Sequence, residues 1–207
     1  MRPVAKTFIA LSAAFMGLTM AQESAAFSLS SASRTAGAGA KQLAFISEKI
    51  QTVGPFAHVL FCKANPDDCR ATKRTRWGRA PVFLTAKRQE QLRQINMAVN
   101  SAITPKNDQI AAGFGDSWAL SPKAGDCEDY AITKRHKLIS MGWPARAVRL
   151  AVTYTASGEG HMVLVVRSNK GDLVLDNRID AIRMWNKTGL KWKMMQASLD
   201  PRKWVGV

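Results

Sequence analysis

Residues 121–144 read SPKAGDCEDYAITKRHKLISMGWP, and the architecture of the chain turns on that stretch. Pro122 and Gly125 break the backbone before it, and Gly142 with Pro144 break it after. Between them Tyr130, Ala131, Lys134, Leu138 and Met141 recur at three- and four-residue spacing. That spacing predicts an amphipathic helix with Asp126 at its N-cap. Cys127 then falls in the first turn, where free backbone N–H groups and the helix macrodipole favour a thiolate. Three acids, Asp126, Glu128 and Asp129, surround the thiol and oppose its ionisation. A hard cation such as Ca²⁺ would remove the conflict, because clustered carboxylates are the oxygen ligands it takes. Acids also favour helix N-termini with no metal at all, so both readings stay open here.

Downstream, Arg146 to Tyr154 alternates, with Val148, Leu150, Val152 and Tyr154 on one side. After the turn sequence Ser157-Gly158-Glu159-Gly160 comes HMVLVVR from His161, an apolar β-branched run that predicts a buried strand. Ser168-Asn169-Lys170-Gly171 predicts a hairpin turn into Asp172-Leu173-Val174-Leu175-Asp176. A turn at that place sets Asp176 opposite His161 or one pair away, so that a carboxylate can fix the tautomer of an imidazole. Of the other two histidines, His58 reads as part of a turn region near Cys62. His136 reads as a solvated side chain in the basic stretch Lys134–Lys137. An unpaired cysteine at a helix start, a histidine and an aspartate together favour a Cys–His–Asp triad.

Toward the N-terminus, Arg2 and Lys6 precede an apolar run from Phe8 to Met20 and then small residues to Ala26. This order predicts a signal peptide over 1–26; the run is shorter than the roughly 20 residues of a membrane-spanning helix. Residues 27–41, rich in Ser, Ala and Gly, read as a flexible leader, and 42–207 as one domain. Export makes a disulfide between Cys62 and Cys69 the favoured outcome across the Asn65-Pro66-Asp67 turn, two free buried thiols being the alternative. Cys127 is then left over. Ala86 to Ile103 predicts a helix capped by Thr85, with Leu92, Ile95, Val99 and Ile103 inward, and Leu43 to Val53 a shorter one.

The 207 residues carry a formal charge of +15, with 46% hydrophobic residues. That balance excludes a disordered or collagenous chain and leaves nucleic acid, an acidic partner or a solvated basic surface to explain the charge. Loss of Arg2, Lys6 and Glu23 with the signal peptide would leave +14. Export and the lack of a nucleic-acid motif argue against nucleic acid, even though Trp185, Trp192 and Trp204 lie among basic residues. Arg70, Lys73, Arg74, Arg76 and Arg79 form the densest basic cluster, a solvated face or a dock for an acidic partner.

Gly125-Asp126-Cys127-Glu128-Asp129-Tyr130, Gly142-Trp143-Pro144, Gly160-His161-Met162-Val163 and Leu175-Asp176-Asn177 together resemble the bacterial transglutaminase-like cysteine proteinases over about residues 42–207. The resemblance implies an α+β, papain-like/transglutaminase-like fold. Its cysteine begins a helix packed on an antiparallel sheet that carries the histidine and aspartate. It implies Cys127 as nucleophile, His161 as general base and acid, and Asp176 as the residue that orients the histidine. It further implies calcium on Asp126, Glu128 and Asp129, a periplasmic or secreted location, a large surface adhesin as substrate and control by an inner-membrane receptor. The chemistry would be hydrolysis of a thioester, with the Cys127 backbone N–H in the oxyanion hole and Ser117 and Trp118 as candidates for the site wall. A transglutaminase, in which an amine resolves the thioester, and a catalytically silent binding module for an acidic polymer or protein remain open alternatives.

Overall fold

Two apolar, β-branched runs, Val148–Tyr154 (β4) and Gly160–Ser168 (β5), pair antiparallel at the centre of a seven-stranded sheet. The other strands are Gln51–Thr52 (β1), Gly171–Asp176 (β6), Ile179–Met184 (β7), Lys191–Gln196 (β8) and Trp204–Gly206 (β9). Their order is β1-β9-β8-β4-β5-β6-β7, antiparallel throughout. A separate parallel pair joins Thr104–Pro105 (β2) to Ala124–Gly125 (β3). Three helices complete the fold: Phe56–Ala64 (α1), Ala86–Ala102 (α2) and Cys127–Ser140 (α3). The computed structural model describes residues 45–71, 80–107 and 116–207, all within one unit, Lys41–Val207. The expected signal peptide, the leader, and Lys73, Arg74, Arg76 and Arg79 lie outside the described residues. No helix among the described residues is long and apolar enough to cross a membrane.

Alternation along the strands divides the core into two layers. Val148, Leu150, Met162, Leu164, Val166 and Leu175 face the helices, where they meet Ala131, Ile132 and Leu138 of α3. Ala151, Val163, Val165, Val174 and Met195 form the other layer, covered by Ile46 and Leu190 with Trp185 and Trp192. The α+β class and the expected arrangement, a helix begun by Cys127 packed on an antiparallel sheet, are therefore present. Thr85 caps α2 as expected, its Oγ1 accepting the Arg88 N–H at 3.2 Å. Leu92, Val99 and Ile103 are buried. The hairpin closes at Ser168 and Gly171, with glycine in the left-handed region at φ 105°. Cys62 and Cys69 are bonded across the Asn65–Asp68 turn.

Two expectations are corrected. Leu43 to Val53 is not a helix where it is described: Gln51 and Thr52 are an edge strand on Val205 and Trp204. The Ile46 N–H is held by the Asp172 carboxylate at 2.7 Å, and long-range partners thus override a local helical pattern. His136 is exposed as expected, while its neighbours Lys134 and Arg135 are buried in α3, Arg135 donating to the carbonyls of Val148 and Asp68. His58 lies in α1, 2% exposed, not in a turn.

His58 is a neutral core residue. The Trp204 indole N–H donates to Nδ1 at 3.2 Å, and the Gln196 side-chain nitrogen stands 3.0 Å from Nε2. Burial, reinforced by Arg135, lowers its pKa from 6.5 to about 4. The unfolded chain therefore binds this proton more tightly, so its contribution to stability is complete above pH 6.5 and is lost as pH falls toward 4. Chemical denaturation at pH 7.5 and 4.5 should show wild type losing about 2–3 kcal/mol through this residue. His58→Gln should show a smaller difference between the two pH values; an equal difference would mean that His58 does not titrate in this way.

Candidate active site

The nucleophile candidate is set by the start of α3. Asp126 occupies the N-cap position with extended backbone (φ −110°, ψ −166°), but its side chain makes no capping bond. The Cys127 thiol donates to Glu128 Oε2 at 3.0 Å, and its sulfur accepts the Met162 N–H at 3.3 Å. Met162 can supply that N–H because the β5–β6 ladder ends at Leu164 and Leu175. Burial, the Glu128 charge and hydrogen bond, and the Asp126 charge push the thiol pKa far up, against which the Met162 N–H acts weakly. Glu128 is itself raised to about 8, by burial, a hydrogen bond shared with Asp126, and the charges of Asp126 and Asp116. The electrostatic conflict anticipated from the sequence is thus present in the structure, and together with burial it opposes ionisation of the thiol.

His161 begins β5 and is buried. Its Nε2 lies 2.9 Å from Asp176 Oδ1, which leaves Nδ1 for another partner. Extending the register from Leu164↔Leu175 sets Asp176 across from Val163, so the carboxylate reaches His161 diagonally. The β6–β7 register shifts between Val174 and Asp176, and the turn that follows carries Arg178. Arg178 donates to both oxygens of Asp176. Burial alone would raise the Asp176 pKa, but the bonds from His161 and Arg178 prevail and hold it well below the usual carboxylate range. From α2, Asn100 Nδ2 donates to the Asp176 carbonyl, and Asn96 Nδ2 to the carbonyls of Ile179 and Asp180. The helix therefore pins the turn that carries the carboxylate.

Cys127 and His161 line one cleft of about 130 Å³, with Asp126, Gly160, Asn177 and Arg178. A larger groove of about 730 Å³, between α2 and β7, contains none of these residues. Beneath the site, Lys134 is completely buried with no hydrogen-bond partner for Nζ among the described residues. Burial lowers its pKa to about 7, while the charges of Asp176 and Asp180 oppose the fall.

Of the three acids expected to ligate a metal, two converge. Asp126 and Glu128 gather with Asp116, each offering an oxygen within 4.8 Å of the others. Asp129 turns away: its Oδ1 accepts the Ala119 N–H at 2.7 Å, and it is buried. Its side chain lies so close to Gly125 that a Cβ there would meet Oδ2 at 2.0 Å. Trp118, expected in the site wall, packs in the core against His58 and donates its indole N–H to Asp116 at 3.1 Å. Sequence reasoning missed Asp116, Arg178, Asn100 and Lys134. Asp116, beside the Ser117 and Trp118 already singled out, carried the clearest signal.

Residues 48–207 match the family described as bacterial transglutaminase-like cysteine proteinases. No curated protein matches. Among solved structures the chain is similar to calcium-bound LapG of Legionella pneumophila, at 26% identity and TM-score 0.47. It is also similar to LapG of that organism in two further forms, one of them EGTA-treated, at 27% and 26% identity and TM-score 0.44. Each match covers 52% of this chain and only 62–64% of the LapG chain.

Removing the Glu128 charge should lower the Cys127 pKa. In calcium-free buffer at pH 8.5, Glu128→Gln should be alkylated by iodoacetamide at least about tenfold faster than wild type. Equal rates would show that Glu128 does not restrain the thiol.

Proposed function

The chain belongs to the bacterial transglutaminase-like cysteine proteinases, and from that premise we propose that it is an exported, calcium-dependent cysteine endopeptidase. The observation that carries the reading is the His161–Asp176 contact at 2.9 Å, with the same His161 and Cys127 lining one cleft. Asp176 holds the proton on Nε2 of His161 and leaves the Nδ1 lone pair to take the Cys127 proton. The thiolate attacks an amide carbonyl, and the imidazolium returns its proton to the leaving amine. Water, deprotonated by His161, then hydrolyses the thioester. The Cys127 backbone N–H, at the first position of α3, supports the oxyanion in both steps.

Asp116, Asp126 and Glu128 would hold the calcium, and their chemistry fits: three hard oxygen donors converge within 4.8 Å of one another. When bound, calcium supplies positive charge beside the thiol. We place the enzyme in the periplasm or outside the cell, with a large acidic surface adhesin as substrate and an inner-membrane receptor as regulator. The resemblance and the signal-peptide pattern support these assignments. One observation favours a second reading, a catalytically silent module on the same fold: the thiol is bonded to Glu128.

Surface proteins from cells carrying wild type or Cys127→Ala should differ by new termini that appear with wild type alone; identical termini would remove the peptidase reading. Calorimetry with Ca²⁺ should give heat for wild type and none for Asp116→Ala or Asp126→Ala. A silent wild type would end the calcium proposal.

A further inference from the structure

We propose that Arg178 is a positioning residue that locks the Asp176 carboxylate in one orientation and thereby fixes the tautomer and direction of the His161 ring. The inference rests on the reading of His161 as the base. Asp176 Oδ1 accepts from the Arg178 backbone N–H at 2.9 Å and from its Nε at 3.3 Å, as well as meeting His161 Nε2 at 2.9 Å. Oδ2 accepts from Arg178 Nη2 at 3.0 Å. A two-pronged guanidinium contact defines the carboxylate plane, which a single-point contact cannot do. With the plane fixed, Oδ1 must face Nε2, so the proton stays there and the lone pair stays on Nδ1.

The pair differs from an ordinary surface salt bridge. The Asp176 side chain is 9% exposed and that of Arg178 45%, so the carboxylate is shielded while the guanidinium lies at the cleft. Arg178 can therefore be replaced without opening the core.

Two separate readouts test this on the full chain with Ca²⁺ present. The first is ring ¹⁵N NMR at pH 7.5. The chain has three histidines, and the His161→Gln spectrum identifies the His161 signals. Wild type should show one tautomer with the proton on Nε2. Arg178→Gln should shift both ring nitrogens toward values averaged between tautomers, with Arg178→Lys intermediate and the thermal midpoint nearly unchanged. The second readout is Cys127 alkylation by iodoacetamide, which Arg178→Gln should slow about tenfold. Wild-type ring shifts in Arg178→Gln overturn the inference. So does an altered tautomer with an unslowed thiol, in protein whose alkylation depends on His161. If wild type and His161→Gln are alkylated at equal rates, the triad reading fails. The ring shifts alone then decide whether Arg178 orients His161.

Discussion

The packing of α3 against β4 and β5 is the contact on which the rest of the structure depends. Ala131, Ile132 and Leu138 lie against Val148, Leu150 and Leu164, all of them buried. Each large aliphatic side chain so buried is worth about 1.5–3 kcal/mol. The same contact brings the first turn of the helix to the place where the β5–β6 ladder stops. There the backbone no longer consumes its own hydrogen bonds. Met162 gives its N–H to the Cys127 sulfur, and Asp176, just past the last paired residue, turns its carboxylate to His161. The candidate site is the frayed end of a sheet stoppered by a helix N-terminus.

Charge inside the protein is arranged differently from its total. The chain carries +15, yet Asp116, Asp126 and Glu128 make the neighbourhood of the thiol acidic. Several cations are internal. Arg149 is buried and donates to Glu48 at 2.6 Å, and Arg167 grips Asp172 with two bonds. Arg135 bonds backbone carbonyls, and Lys134 Nζ has no hydrogen-bond partner among the described residues. Part of the basic excess is therefore structural. Trp204, one of the tryptophans in the basic C-terminal stretch, is a core residue against His58, and Trp185 packs edge-on to Trp192 at 5.7 Å.

Legibility followed the range of the interaction. The α3 helix, the 168–171 hairpin, the Thr85 cap and the Cys62–Cys69 bond were readable because their causes lie within a few residues. The nearness of His161 and Asp176 was readable for a related reason, since a two-residue turn transmits register over a short ladder. Its diagonal form was not, because the shift between Val174 and Asp176 arises in pairing with β7. The segment before Val53 was misread because its partners, Asp172, Trp204 and Val205, are more than a hundred residues away. His58 was misread because Gln196 and Trp204, far along the chain, are what bury it. A helix pattern says which residues share a face, while burial depends on what that face meets.

The sequence by itself determined the cysteine at a helix start, the histidine and aspartate on a hairpin, the crowd of acids and the family they resemble. These are local pattern and residue chemistry. Only the tertiary structure decided that Asp116 joins Asp126 and Glu128 while Asp129 turns to the Ala119 N–H. The same holds for Arg178 gripping Asp176 and for α2 holding the turn beneath it. Side-chain direction at a strand end or helix start is set by neighbours from distant parts of the chain, and no spacing rule carries that information.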